Sequence, residues 1–315
     1  VRLDGSARSK VASNLIVTNG YDVSVSGTVA GTFTDTSYSL DAPSTAKATG
    51  AITGSDEQVT GNRLGIFSNG TKAPGSGSAG ISAWSGTSRV LLQDNTVAGH
   101  SSNEISLYRG SGHQVLKNRI GVDPTGATVL GGTLGIVAQG TVDASIGTST
   151  TTGNQLGGLT GTAILVNTFS DSPGTGAKVV GNRIGLLADG TTAAPIGGAG
   201  VAATAPKVTI GPDNVIANSA AGGVSLAARS TQSVVTGNRI GTDASGVTKA
   251  ANKVGIEALA PTGSDPIRQD VTITGNTISG NAQVQRNIQE IKQPELDAAQ
   301  HLGARGHHHI APQRG

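Results

Sequence analysis

The chain has 315 residues, with 22 Lys and Arg against 20 Asp and Glu, and it contains no cysteine. The near balance of charge gives no reason to expect binding to nucleic acid or to an anionic membrane surface. The lack of cysteine excludes disulfides and thiolate metal sites. Glycine accounts for 48 residues, about twice its ordinary share of roughly 7%, whereas aromatic residues make up 2%. No apolar run approaches the roughly 18 residues of a membrane-spanning helix. The composition indicates a turn-rich protein without an aromatic core.

The first 52 residues are rich in β-forming residues. Residues 15–29 contain an Asn-Gly pair, Asn19–Gly20, between two runs in which apolar and polar residues alternate. This pattern is typical of a two-residue β-hairpin. We predict a β-rich segment over residues 1–52 that forms a cap, contributes added strands or stands as a small separate domain.

A short motif recurs from residue 61 onward. It reads GNRLG at 61–65, KNRIG at 117–121 and GNRIG at 181–185 and 237–241, so its asparagines are 56, 64 and 56 residues apart. Weaker copies lie between these, and the combined intervals of 23 to 38 residues are alternately long and short. The repeating unit is therefore a coil of about thirty residues. The eight asparagines are Asn62, Asn95, Asn118, Asn154, Asn182, Asn214, Asn238 and Asn276.

Each unit carries the pattern of three short strands. An apolar residue precedes most of the asparagines by three positions and another follows each by two, as Val59 and Leu64 do around Asn62. A third apolar run follows later in the unit, as in GISAW at 80–84. Short runs with glycine-rich corners and no helical period predict an all-β solenoid of parallel strands. We expect about eight to nine coils over residues 53–281, about 40 Å long at the usual strand spacing.

The corner V-x-G-N-x-I-G, and the trailing D-x-x-G at 121–130 and 241–250, resemble the coil of a known family. This family is the right-handed parallel β-helix repeat proteins of bacterial cell exteriors, within the pectate-lyase-like superfamily. The resemblance covers about residues 53–281 and implies a right-handed parallel β-helix. It does not select a function, because the superfamily carries lyases, hydrolases, adhesins and structural fibres on one scaffold.

We interpret the eight repeated asparagines as a structural ladder. Asparagine and glycine suit a corner with positive φ, and stacked amides can satisfy one another where water cannot reach. The residue after an inward asparagine points outward, which predicts a stripe on every second coil, about 9–10 Å apart. Its members are Arg63, Arg119, Arg183 and Arg239.

Two interpretations of the arginine stripe remain open. The first is solubility with local pairing, because Asp123, Asp189 and Asp243 follow three of the arginines by four to six residues. The second is recognition of an acidic polysaccharide or of a partner's carboxylates by planar guanidinium groups.

The enzymes of this superfamily place an acidic cluster on the outer face of one stacked sheet. Cleavage of a glycosidic bond by acid catalysis needs two carboxyl groups within about 5–10 Å. The expected outward positions of the third run offer no carboxylates on neighbouring coils, and His100 and His113 lie in loops without a G-x-S-x-G elbow. We therefore predict no catalytic residue, no cofactor and no metal site. The outward positions are Ser82, Ser106, Val137, Leu165, Ala202, Ser225 and Glu257.

The composition changes after Asn281, and residues 282–315 form a separate segment. Its apolar residues have helical spacing on both sides of Pro294, which predicts a short helical cap over the last coil or an arm that docks on the next subunit. We interpret His307–His309 as part of a polar tail. The apolar residues are Val284, Ile288, Ile291, Leu296 and Leu302.

These features predict a non-catalytic extracellular structural or surface protein that associates with itself, as a filament or a surface-layer-like building block. The alternative is a polysaccharide-binding module, or a polysaccharide lyase or hydrolase. The expected partner is a second copy of the chain, with acidic polysaccharide as the alternative, and neither nucleic acid nor a membrane span is expected. The chain begins at Val1 and has no methionine, which favours export with removal of a leader over simple trimming.

Overall fold

The computed structural model describes residues 56–73, 77–84, 86–169, 171–259 and 270–283, together with the backbone of strands at 2–7, 10–12, 15–16 and 21–30. These residues contain 27 strands and no helix. Within them there is accordingly no helix of the length and apolarity required to cross a membrane.

The strands form three parallel sheets, each of nine strands, and each sheet takes every third strand of the chain. Sheet A contains β1 (Arg2–Ala7), β4 (Tyr21–Ala30), β7 (Ala79–Ala83), β10 (Asn103–Tyr108), β13 (Leu134–Gln139), β16 (Ile164–Asn167), β19 (Val201–Ala203), β22 (Gly222–Leu226) and β25 (Val254–Ala258). Sheet B contains β2 (Lys10–Ala12), β5 (Gln58–Thr60), β8 (Leu91–Gln93), β11 (Gln114–Leu116), β14 (Ser145–Ile146), β17 (Lys178–Val179), β20 (Thr209–Ile210), β23 (Val234–Thr236) and β26 (Thr272–Thr274). Sheet C contains β3 (Leu15–Ile16), β6 (Arg63–Leu64), β9 (Thr96–Val97), β12 (Arg119–Ile120), β15 (Gln155–Leu156), β18 (Arg183–Ile184), β21 (Val215–Ile216), β24 (Arg239–Ile240) and β27 (Thr277–Ile278).

One strand from each sheet makes one coil, and we number the nine coils in chain order. This arrangement confirms the prediction of an all-β solenoid with parallel strands. The inward positions of neighbouring coils are in register, so that apolar residues stack on apolar residues along the axis. In sheet C, for example, Ile120 lies between Val97 and Leu156, and all three are fully buried. Among the described residues, the buried cluster that results contains Val, Ile, Leu and Ala and no aromatic side chain.

The described part of residues 1–52 supplies four strands to these same sheets. β3 pairs in parallel with β6, whereas β4 pairs in parallel with β1 and β7, so the two strands that flank Asn19–Gly20 lie in different sheets. The β-hairpin predicted for residues 15–29 is therefore not formed. Stacking on a buried sheet gives a strand neighbours and an apolar core, which an isolated hairpin does not provide.

The final described contact is a parallel bridge between Gln283 and Val254 of β25, by which the chain returns to sheet A after coil 9. The predicted helical cap or arm, with Val284, Ile288, Ile291, Leu296 and Leu302, lies outside the described residues. The same is true of His307–His309.

The last position of the repeated motif requires glycine, because neighbouring coils approach closely there. Gly121 has φ +72°, and a Cβ atom at this position would lie 2.1 Å from the carbonyl oxygen of Gly157. Gly185, the equivalent residue two coils later, has φ +79° and would place a Cβ atom 1.8 Å from the carbonyl oxygen of Ala217. Only glycine combines this left-handed backbone with so short a distance to the next coil.

We expect Gly121→Ala to destabilise the protein by at least about 2 kcal/mol more than Gly131→Ala, because the first adds a steric clash to backbone strain. Gly131 is a matched control with φ +86°, where a Cβ atom would lie 3.4 Å from its nearest neighbour. Urea denaturation of both variants measures the difference. Equal losses would show that the contact between coils does not require glycine.

Candidate functional site

The eight repeated asparagines lie at the corner between sheets B and C, one above another. Seven of them are 2% exposed or less, and Asn276 in coil 9 is half-buried. The side-chain amides of consecutive asparagines are joined by seven Nδ2–Oδ1 hydrogen bonds of 2.7 to 3.0 Å. We call this column the asparagine ladder.

Asn154 illustrates how the ladder satisfies its polar groups. Its Oδ1 accepts hydrogen bonds of 2.9 Å from both the backbone N–H and the Nδ2 of Asn118. Its own Nδ2 donates to Oδ1 of Asn182 at 2.9 Å and to the carbonyl of Val115 at 2.8 Å. Three coils are thus joined through one side chain that water does not reach.

In seven of the eight coils the left-handed backbone at this corner belongs to the residue before the asparagine, and none of the eight asparagines has a positive φ. Asp94, Lys117 and Asp213 take φ values of +56°, +55° and +66°, and a glycine has a positive φ at this position in four other coils. Gly153, before Asn154, is the exception. The steric preference of asparagine for positive φ is therefore not what places it there. Asparagine lies at this position because its side-chain amide both donates and accepts hydrogen bonds along the ladder.

A second, shorter ladder lies at the corner between sheets C and A. The Nδ2 of fully buried Asn252 donates to Oδ1 of Asn281 at 3.0 Å and to the carbonyl of Ile216 at 3.0 Å. Oδ1 of Asn252 accepts from the backbone N–H of Ser219. Sequence analysis missed this pair, because it occupies only two coils and has no repeated motif.

The four arginines occupy one outward column of sheet C, where they alternate with Thr96, Gln155, Val215 and Thr277 in strict register. Arg183 donates from Nη1 to the carbonyl of Ala188 at 2.7 Å. Arg63 and Arg239 donate in the same way to the carbonyls of Ser68 and Ala244. Three of the arginines therefore bind the loop that follows their own strand.

The aspartates in these loops bind the loop backbone instead of the arginines. Asp189 Oδ1 accepts from the N–H groups of Thr191 and Thr192 at 2.9 Å. The hydrogen bond from the Thr192 side chain, with those backbone bonds, lowers the pKa of Asp189 to about 2. Asp123 and Asp243 accept equivalent N–H groups within their own turns. In the loops that follow Arg183 and Arg239, the local Arg–Asp pairing of the first interpretation is not formed, because the arginine and the aspartate each bind the loop backbone separately.

These loops project from alternate coils as small antiparallel excursions, and they stack on one another. The excursions are residues 65–73, 121–130, 185–194 and 241–250. Ala188 N–H donates to the carbonyl of Gly126 at 2.8 Å, and Ala244 N–H donates to that of Gly190 at 2.8 Å. Pro124 stands at the position of Ala188 and Ala244 and has no N–H, so this link is missing between the first two excursions.

A polar groove of about 340 Å³ lies along coils 3 to 7 beside the asparagine ladder. Lys117, Arg119 and Arg183 line it on coils 4 and 6, and Asp94 and Asp213 line it on its outermost coils, 3 and 7. Thr150 and Thr151 also line it, in the corner of coil 5, which has eight residues (147–154) where coil 4 has two. The sequence identified the arginines but not the groove, which depends on this one irregular corner.

The outward column of sheet A runs Ser82, Ser106, Val137, Leu165, Ala202, Ser225 and Glu257 in register, as the sequence indicated. Its first members are buried rather than exposed, with Ser82 at 1% and Ser106 at 0%. Tyr108 reaches back along its strand to accept a hydrogen bond from Asn103, and Trp84 packs on its ring at 4.6 Å between centroids. This aromatic pair lies beside the outward column of sheet A, and the column's one carboxylate, Glu257, accepts from Ser225 at 3.4 Å.

Both histidines that the sequence placed in loops are internal. His100 Nδ1 lies 2.5 Å from Glu104 Oε2, and both side chains are fully buried. Nδ1 of His113 accepts from the backbone N–H of Val90, which leaves Nε2 to donate to the carbonyl of Arg109. Burial lowers the pKa of His113 to about 4, although the bond to Arg109 acts in the opposite direction.

Among the described residues, no three His, Asp or Glu side chains are grouped to hold a metal ion.

Comparisons of the chain with models of protein families, with curated proteins and with solved structures found no match. Function must therefore be inferred from the ladder, the excursions and the groove themselves.

We expect Asn154→Ala to cost about 3–5 kcal/mol of stability, because two buried donors of Asn118 lose their shared acceptor. Asn276→Ala is the matched control at the half-buried end of the ladder, where water can replace the amide, and we expect it to cost about 1 kcal/mol. Chemical denaturation measures both values. If the two losses were equal, the ladder would contribute only side-chain volume at its corner.

We expect His113 to make the protein less stable between pH 6.5 and pH 4. The unfolded chain takes up a proton on this imidazole below about pH 6.5, whereas the folded protein does so only near pH 4, so stability is lost as the pH falls through this range. The total loss is about 3 kcal/mol. His113→Gln should therefore show a smaller decrease than the wild type when urea denaturation at pH 7 is compared with pH 4. An unchanged decrease would contradict this role.

Proposed function

We propose that the protein is a non-catalytic extracellular structural or surface protein, a right-handed parallel β-helix that associates with itself end to end. The supporting observation is the half-buried end of the asparagine ladder. In six coils the backbone N–H of the ladder asparagine donates to Oδ1 of the next one. Within the described residues, the ladder has no further asparagine beyond Asn276 to accept its N–H.

The first coil has the sequence pattern that such an acceptor requires. Val11 and Ile16 pair with Val59 and Leu64 of coil 2, and Asn14 stands at the same distance in sequence from them as Asn62 does from its own flanking residues. The first coil of a second copy is therefore chemically suited to follow coil 9. A head-to-tail contact of this kind does not close on itself and makes a filament.

The positions of the acidic residues support a non-catalytic role. Glu104 is buried against His100, Asp189 is held by its own turn, and Glu257 binds Ser225. None of these three carboxylates stands beside a second one on an open face, as acid catalysis on a glycosidic bond requires.

A polysaccharide-binding or polysaccharide-cleaving function is the second candidate. The aromatic pair Trp84–Tyr108 favours it, because both rings are half-buried, contact each other beside the outward column of sheet A, and aromatic side chains are typical of ligand sites. A polysaccharide binding and cleavage screen tests this role: binding or cleavage by the wild type that is lost in the Trp84→Ala variant would support it.

The proposed function predicts filaments whose length increases with protein concentration in electron micrographs. An Asn14→Ala variant should remain as dispersed rods, because the backbone N–H of Asn276 then lacks its proposed acceptor in the next copy. A control variant that lacks only residues 304–315 should still assemble. Dispersed rods of the full chain at every concentration, together with cleavage of a polysaccharide, would overturn the proposal.

A further inference from the structure

The groove on coils 3 to 7 contains the one arginine of the stripe whose guanidinium has no bound partner among the described residues. Arg63, Arg183 and Arg239 each donate to a carbonyl of their own excursion, but no such bond is formed by Arg119. In its excursion the equivalent carbonyl is that of Pro124, and the neighbouring Gln155 donates from Nε2 to the carbonyl of Gly126 at 2.8 Å. Arg119 is half-buried, lines the groove on coil 4 and has a guanidinium group available to bind an anion.

The spacing of the cations selects the geometry of the ligand. Arg119 and Arg183 lie in one column, separated by the neutral Gln155, so their strands are about 9–10 Å apart. A polyproline II helix has three residues per turn and a rise of about 3.1 Å, which places residues i and i+3 on one face about 9.3 Å apart. A peptide in this conformation, laid along the solenoid axis, presents acidic side chains at i and i+3 to both arginines.

The remaining residues of the groove favour a short peptide over a longer polyanion. Asp94 and Asp213 place negative charge on its two outermost coils, which repels a chain that carries an anion on every unit, such as a nucleic acid. Among the described residues that line the groove, none is aromatic and able to stack on a base. The backbone carbonyls of a polyproline II segment make no internal hydrogen bonds, and the hydroxyl of Thr150, which lines the groove, can donate to one of them.

We propose that this groove binds an extended acidic segment of a partner protein, in the polyproline II conformation, through carboxylates three residues apart. The groove lies on the side of the solenoid, away from its ends, so this binding is independent of end-to-end association. Lys117, exposed at the rim beside Arg119, adds a third positive charge to the site.

The experiment uses the full chain and a fluorescent octapeptide with glutamate at positions two and five, proline at the other internal positions and glycine at both ends. Fluorescence anisotropy measures its binding at low salt. The control peptide has the same composition with its glutamates at positions two and four, and we expect it to bind at least about fivefold more weakly, since only one carboxylate can then pair well. Equal binding of the two peptides would overturn the proposal.

Three variants separate the groove from the rest of the stripe. Arg119→Gln and Arg183→Gln should each weaken binding of the first peptide about fivefold, whereas Arg239→Gln, in the same column but outside the groove, should leave it unchanged. Equal effects at all three positions would mean general attraction to the stripe and would contradict the proposal. Competition is measured with oligogalacturonate and oligothymidylate of matched charge. If either displaced the peptide as well as unlabelled peptide does, the site would belong to a glycan or a nucleic acid instead.

Discussion

Stacking in parallel register constrains every inner and outer column of this solenoid, because each side chain lies about 4.8 Å from the equivalent residue of the next coil. A position is therefore compatible with the fold only if its side chain tolerates a near copy of itself as a neighbour. Valine, isoleucine and leucine meet this condition by packing, and asparagine meets it because its amide both donates and accepts. The core and the asparagine ladder are two solutions of one constraint. The buried cluster of the described coils has no aromatic side chain, since its columns are filled by aliphatic residues that stack on one another.

The same constraint explains why arginine and the long loops occur on alternate coils. Guanidinium groups on adjacent coils would repel one another at this distance, and Thr96, Gln155 and Val215 separate them. An excursion is thicker than one coil, since those of coils 4 and 6 already touch through Ala188 N–H and the carbonyl of Gly126. There is no space for another between them. The physical repeat of this protein is consequently two coils, although the repeat of its backbone is one.

Much of this architecture could be predicted from columns that repeat in the sequence. The spacing of Val59, Asn62 and Leu64 located sheets B and C, and the third apolar run located the outward column of sheet A from Ser82 to Glu257. Features that depend on a contact made in only one coil could not be predicted, because no repeated motif marks them in the sequence. Asn19–Gly20 has the local sequence of a hairpin turn, but each flanking strand pairs with the equivalent strand of a neighbouring coil and not with the other flanking strand. The burial of Ser106, the internal His100–Glu104 pair and the groove beside residues 147–154 each depend on a single event in one coil.

The two-coil repeat has a consequence for how such a chain can change its length during evolution. Duplication of one arginine-bearing coil would place two arginines and two excursions on adjacent levels, where the charges repel and the loops compete for the same space. Duplication or loss of a coil pair leaves every column unchanged on both sides of the junction. The spacings of 56, 64 and 56 residues between Asn62, Asn118, Asn182 and Asn238 are the lengths of such pairs. Unequal recombination between the GNRIG sites would thus lengthen or shorten the rod by whole coil pairs, with no new interface to be selected.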